Sequence, residues 1–327
     1  MTATDLRAQV LVTAEQLALE MGLVVGDRTV AKAPLVLDVR WTLPPAGQVY
    51  DGLAAYQTGH LPRAVFVDLD TELAEPPTPT AGRHPLPKRI RLQTASRLWG
   101  QRKNVPVVAY DDWSGLAAAR AWWLLRDVGV KDVRILDGGL AAWRRAGLPI
   151  STEDFAPLPG DNTLFKPGQM PQVDADGVAA LAVDPDVLLL DARAGERYRG
   201  EVEPIDPRAG HIPGAISAPT SDNLNADGTF RSAAELIERF VALGVRVPAE
   251  SVILRDESVI LREVAGSPDT GVSQQVAVYC GSGVTAAHQI AALASIGVEA
   301  ALYPGSWSQW ANDETRPIAT GPNPMGE

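Results

Sequence analysis

The chain has 327 residues, 46% of them hydrophobic and 21% charged, and a formal net charge of −11. This is the composition of a globular protein with enough apolar material for one large or two ordinary domains. The acidic balance argues against nucleic acid or an anionic membrane as the main partner, because both require a basic footprint.

The opening stretch "MTATDLRAQVLVTAEQLALEMG" lacks a basic segment followed by an apolar one, so it does not read as a secretory signal. No apolar run reaches membrane-spanning length. In the first half, "PLVLDV", "VPVVAY" and "VRILD" are continuous apolar runs, as expected for strands buried on both faces of a parallel sheet. Between the last two comes "GLAAARAWWLLRDVG", with apolar residues at helical spacing and a glycine at its end. A stretch rich in proline, glycine and polar residues, "STEDFAPLPGDNTLFKPGQMP", then reads as an exposed linker.

Past this stretch the pattern recurs. "LVLDVR" (35–40) returns as "LLLDAR" (188–193), "GHLPRAV" (59–65) as "GHIPGAI" (210–216), and "VVAYDD" (107–112) as "VAVYCG" (276–281). The order is kept, which predicts a tandem duplication. The expected organisation is an α/β fold of two domains, each a mainly parallel sheet flanked by helices. They should cover 1–152 and 172–327, joined by 153–171. The second half also holds a doubled unit, "ESVILRDESVILREV", which reads as a surface insert near 249–274 or a partner-docking element.

Cys280 is the sole cysteine, which excludes an internal disulfide or a multi-cysteine metal site and makes a reducing cytoplasm the expected compartment. It stands between the strand-like "VAVY" and the helical "AAHQIAALASIG". Such a turn lies at the carboxyl end of a parallel sheet, where ligands bind. Gly281 and Gly283 allow successive backbone N–H groups to turn inward as an anion-binding nest, and the helix N-terminus adds positive potential. Lone cysteines are often buried and inert, but this setting favours a thiolate nucleophile. A cysteine phosphatase would need an arginine six positions on to hold phosphate. That position is Ala286, and 280–290 contains neither Lys nor Arg.

The loop "CGSGVTA", the paired "GHxPxA" segments, "LLLDAR", "ERYRGEVEP" and "YPGSWSQW" together resemble the two-domain rhodanese family of sulfurtransferases. Within that family the neutral loop is most similar to the 3-mercaptopyruvate sulfurtransferases, since thiosulfate-using members carry basic residues after the cysteine. The resemblance implies that Cys280 takes sulfur from 3-mercaptopyruvate, releasing pyruvate and leaving a persulfide. Thiosulfate as donor, or a persulfide carrier serving a dedicated partner, are the alternatives.

Further roles follow from the same resemblance. Backbone N–H groups of Gly281, Ser282, Gly283, Val284 and Thr285 would stabilise the sulfur anion, and Ser282 would protonate the pyruvate enolate or handle the thiol proton. His84 and Asp70 match the histidine and aspartate paired with that serine, with a solvent-exposed loop as the other reading of His84. Arg197 matches the arginine that holds the donor carboxylate. A second family arginine falls at Asp206, and Arg208, two residues on, is expected to replace it. Asp191 and Arg193 would form a supporting ion pair or serve structure alone, and His211 would be structural because His60 recurs in the other half. Trp307 and Trp310 read as core or pocket wall.

The first half has Asp111 where the second has Cys280, so it should be catalytically silent and should cover the site. No metal or organic cofactor is implied. With no second thiol, the persulfide requires an external acceptor, such as thioredoxin or another thiol or sulfur-relay protein, or cyanide.

Overall fold

The computed structural model describes residues 3–24, 32–43, 50–161, 163–184, 186–248 and 274–327. The doubled "ESVILR" unit, and all of the expected insert except Gln274, lies outside the described residues.

The first half runs α1 (Ala3–Val10), β1 (Leu11–Val12), α2 (Ala14–Glu20), β2 (Leu35–Asp38), α3 (Gly52–Gln57), β3 (Val65–Phe66), α4 (Leu69–Glu72), α5 (Arg89–Leu98), β4 (Val107–Tyr110), α6 (Ala118–Asp127), β5 (Val133–Leu136) and α7 (Gly139–Arg145). The second runs α8 (Ala175–Leu181), β6 (Val187–Asp191), α9 (Gly195–Tyr198), β7 (Ile216–Ser217), α10 (Ala233–Ala242), β8 (Gln275–Tyr279), α11 (Val284–Ser295), β9 (Ala301–Leu302) and α12 (Ser306–Trp310). The sheets have strand orders β1-β5-β4-β2-β3 and β7-β6-β8-β9, and every pairing within them is parallel. Both are the expected α/β units. All four residues of β4 and the last four of β8 are buried, which is why these segments read as unbroken apolar runs.

The duplication extends to individual contacts. Asp38 faces Tyr110 across β2 and β4, and Asp191 faces Tyr279 across β6 and β8. In each half an arginine two residues past the aspartate pairs with it, Arg40 Nη2 to Asp38 at 2.7 Å and Arg193 Nη2 to Asp191 at 2.6 Å. His60 stacks on Tyr56 with ring centroids 3.8 Å apart, and His211 stacks on Tyr198 at 3.7 Å. Because the same knots recur in the half without a thiol, they belong to the architecture of the unit.

The equivalent helices α6 and α11 pack against each other, and α1 lies along α11. Both helices carry buried small residues, Ala118, Ala119 and Ala121 in α6 and Ala287, Ala291 and Ala292 in α11, which suit close packing. A single hydrophobic cluster therefore includes Trp122 and Trp123 of α6 together with Ile290 and Leu293 of α11.

Most of the segment between the units is exposed, as expected of a linker, but it is anchored at a few points. Phe165 is buried, Lys166 N–H bonds to Val128 O at 3.1 Å, and Asp127 Oδ1 accepts from Gly168 N at 3.0 Å and Met170 N at 3.1 Å. One phenylalanine and one buried carboxylate pin this chain to the first unit.

A core shared in this way should make the two halves unfold together. Urea denaturation followed by tryptophan fluorescence and by far-UV circular dichroism is expected to give one coincident transition. Two separated transitions would contradict a continuous core.

Candidate active site

Cys280 directly follows β8; the chain passes from β6 outward to β7 on one side and from β8 outward to β9 on the other, so Cys280 sits where the strand order reverses. Its N–H donates to Ser306 Oγ at 3.2 Å, and its carbonyl accepts from Trp307 N at 2.9 Å. Gly281 O accepts from Ser308 N, also at 2.9 Å, so the start of α12 grips the loop. Gly283 has φ of 79°, and a Cβ there would lie 2.6 Å from Pro304 O, so this turn requires glycine. The resulting conformation directs Gly283 N–H at Cys280 Sγ, 3.1 Å away. Val284 and Thr285 form the first turn of α11, where backbone N–H groups lack intrahelical acceptors and the helix dipole favours negative charge.

The equivalent loop of the first half demonstrates what such a nest does. Asp111 Oδ1 accepts from Trp113 N and Gly115 N, and Oδ2 from Ala117 N and Ala118 N, each at 2.8 Å. Burial pushes the carboxyl up to about 6 even though four N–H donors oppose that shift. The first half fills its nest with its own carboxylate, whereas the second half places a sulfur there.

The first half also sends a loop across to Cys280. Within "EPPTPTAGRHPLP", Thr78 and Gly82 pair in a tight reversal, and Gln309 Nε2 donates to Thr80 O at 2.6 Å. A Cβ on Gly82 would lie 2.7 Å from Gly305 O, so only glycine permits this approach to α12. The next two residues then enter the site. His84 Nδ1 lies 2.7 Å from Ser282 Oγ, and His84 Nε2 lies 3.2 Å from Asp70 Oδ1. Trp41 Nε1 donates to Asp70 Oδ2 at 3.2 Å, and the Trp41 ring meets the imidazole edge-on at 5.4 Å. The carboxylate acceptor sets the tautomer: Nε2 carries the proton, and Nδ1 accepts the Ser282 hydroxyl. Burial lowers the His84 pKa against the opposing pull of Asp70, while the bond to His84 holds the Asp70 carboxyl below its usual range.

Arg197 lies beside the loop. Its Nη2 is held by Glu203 Oε1 at 2.6 Å and Asp206 Oδ2 at 3.2 Å. Arg193 reaches Glu203 Oε2 at 3.4 Å and stacks over Trp307 at 4.4 Å, so the Asp191–Arg193 pair braces the carboxylate that orients Arg197. Trp307 and Trp310 are buried, as expected of core residues.

Arg208 does not take the place expected for it. Its guanidinium donates to the carbonyls of Trp310, Ala311, Asp313 and Arg316, closing the chain beyond α12. The side chain that does arrive is Arg83, which pairs with Asp206 Oδ1. The available signal was a basic residue immediately before His84. Arg120 was also missed: it is fully buried in α6 and donates to Leu73 O, His84 O, Pro85 O and Gly283 O.

Replacing Asp111 with alanine would strand four buried N–H donors, at an expected cost on the order of 3 kcal/mol in urea unfolding. A neutral effect would mean that the first nest does not need its anion.

Comparison with known proteins places these features in a lineage. The profile described as "Rhodanese-like domain" matches residues 26–146 and 174–313. The chain is 44% identical over 319 residues to "Putative thiosulfate sulfurtransferase SseB" of Mycobacterium tuberculosis, covering 96% of this chain and 98% of that one. It is also 44% identical over 290 residues to "Probable 3-mercaptopyruvate sulfurtransferase" of Pseudomonas aeruginosa, covering 88% and 92%. The crystal structure of SseA from Escherichia coli, titled as a 3-mercaptopyruvate sulfotransferase, superposes with a TM-score of 0.70 at 30% identity, over 91% of this chain and 98% of that one. With a matching domain in each half and the sole thiol in the second, the chain belongs to the rhodanese family.

Proposed function

We propose that this protein is a sulfurtransferase that moves sulfur from 3-mercaptopyruvate to Cys280 and from there to an external thiol. The observation that carries this reading is the chain of contacts from Asp70 through His84 to Ser282, two residues from Cys280 in a loop without Lys or Arg.

The Cys280 thiolate attacks the donor sulfur, a sulfur–sulfur bond forms, and the carbon–sulfur bond breaks with its electron pair on carbon as pyruvate enolate. The donor thiol proton passes through Ser282 to neutral His84 and returns to the enolate carbon, giving pyruvate. Asp70 stabilises the transient imidazolium, as the acid does in other relays of this geometry. Gly283 N–H and the first turn of α11 stabilise the persulfide anion. Arg197 holds the donor carboxylate. Asp191 and Arg193 act through Glu203, without touching the donor.

An incoming thiolate then attacks the outer sulfur and leaves Cys280 free for the next cycle. The chain has no second cysteine, so this acceptor comes from outside: thioredoxin, another thiol or relay protein, or cyanide. No helix among the described residues is long and apolar enough to cross a membrane. A working thiol that must stay unoxidised fits a reducing cytoplasm.

A second reading, thiosulfate as donor, is favoured by the name of the Mycobacterium tuberculosis relative. Steady-state turnover with each donor separates the two. A preference for 3-mercaptopyruvate that disappears in Cys280→Ser supports the first, and a preference for thiosulfate overturns it.

The relay also fixes a pH dependence. His84 works as the neutral base and burial lowers its pKa, so activity should fall with acidification only below the ordinary histidine range. His84→Gln should remove this acid limb and lower kcat by about 10²- to 10⁴-fold. An acid limb above the ordinary range would contradict the assigned state of His84.

A further inference from the structure

Two guanidinium groups converge on the open side of Gly281. A Cβ at that residue would lie 2.9 Å from Arg83 Nη2 and 3.5 Å from Arg197 Nη1. One arginine comes from each half, and Asp206 joins them, with Oδ1 to Arg83 and Oδ2 to Arg197. The Asp206 side chain is only 2% exposed, whereas that of Arg83 is 25% exposed, so the pair is anchored on its inner side and open to solvent on its outer side. Arg83 Nε and Arg197 Nε are buried, and neither has a hydrogen-bond partner among the described residues. The atoms nearest Gly281, Arg83 Nη2 and Arg197 Nη1, are not the ones that Asp206 and Glu203 engage, so each guanidinium keeps a donor beside the cysteine loop after the internal pairing.

We infer that Arg83 is a donor-binding residue, which together with Arg197 forms a fork for the carboxylate of the sulfur donor, and that Asp206 positions both arms. Position 206, where the family resemblance calls for an arginine, carries the opposite charge here because the cation has moved to the other half of the chain. The fork therefore exists only when the halves are docked. Its geometry suits a planar carboxylate approached from two sides. The identity of the donor rests on the function proposed above; the fork itself does not.

Alkylation of Cys280 with iodoacetate and with uncharged iodoacetamide tests the fork without any sulfur donor. Both reagents form the same carbon–sulfur bond and expel iodide, and only iodoacetate carries a carboxylate. Arg83→Gln is expected to slow iodoacetate by about tenfold relative to iodoacetamide, the scale of one lost charged hydrogen bond. It should raise KM for 3-mercaptopyruvate similarly while kcat stays within about threefold. In the Arg83→Asp background, adding Asp206→Arg should restore the iodoacetate preference. An unchanged ratio in Arg83→Gln, or equal slowing of both reagents, would overturn the proposal. A changed ratio in a protein that prefers thiosulfate would keep the fork and reject the proposed donor.

Discussion

A buried cation at the seam between the halves holds the site together. Arg120 has no exposed surface, and among the described residues it makes no ion pair. Its guanidinium instead collects backbone carbonyls, three from the first half (Leu73, His84 and Pro85) and one, Gly283, from the cysteine loop. Burial lowers its pKa to about 10, with the Cys280 charge acting in the opposite direction, so it stays cationic at neutral pH. A guanidinium without a carboxylate is costly to bury. Here it ties the carbonyl of His84 to that of Gly283, and with them the Asp70–His84–Ser282 contacts to the nest. The α6–α11 packing makes this possible, because it brings α6, which carries Arg120, beneath the loop that opens α11.

Duplication explains how one half could lose the chemistry and still serve it. Both copies build the same turn after an equivalent buried central strand, β4 or β8, and both turns favour negative charge. The first copy satisfies its turn internally through Asp111, whose carboxylate takes up the backbone N–H groups of the nest. Its proline-rich loop extends over the neighbour, bringing His84 to Ser282 and Arg83 to Asp206. Asp70, on the short helix α4, meets His84 from the same half.

Much of this was legible in the sequence because it rests on local patterns. Buried parallel strands leave continuous apolar runs, helices stop at glycine, and a duplicated order of motifs shows two units. Cys280 and Gly283 follow from strand–turn–helix spacing and glycine conformation, whereas Ser282 comes from the family resemblance. The resemblance pointed to His84 and Asp70, and the geometry brings them together with Ser282. What stayed hidden depends on contacts distant in the chain. Nothing near Arg208 signals that four carbonyls beyond α12 consume its guanidinium. Likewise nothing near Asp206 signals that its partner lies in the other half, 123 residues away. The segment 153–171 reads as exposed by composition and mostly is, but its anchoring through Phe165 and the amides bound by Asp127 is set by tertiary packing.

The central claim is that Cys280 holds the sulfur between the two halves of the reaction. The most direct measurement is intact-mass analysis of the protein after exposure to 3-mercaptopyruvate without an acceptor, with pyruvate quantified in the same sample. The account predicts one added sulfur atom per chain, located on the Cys280 peptide, and one pyruvate released for each. Pyruvate formed with free sulfide, on a protein whose Cys280 never carries the added sulfur, would contradict it.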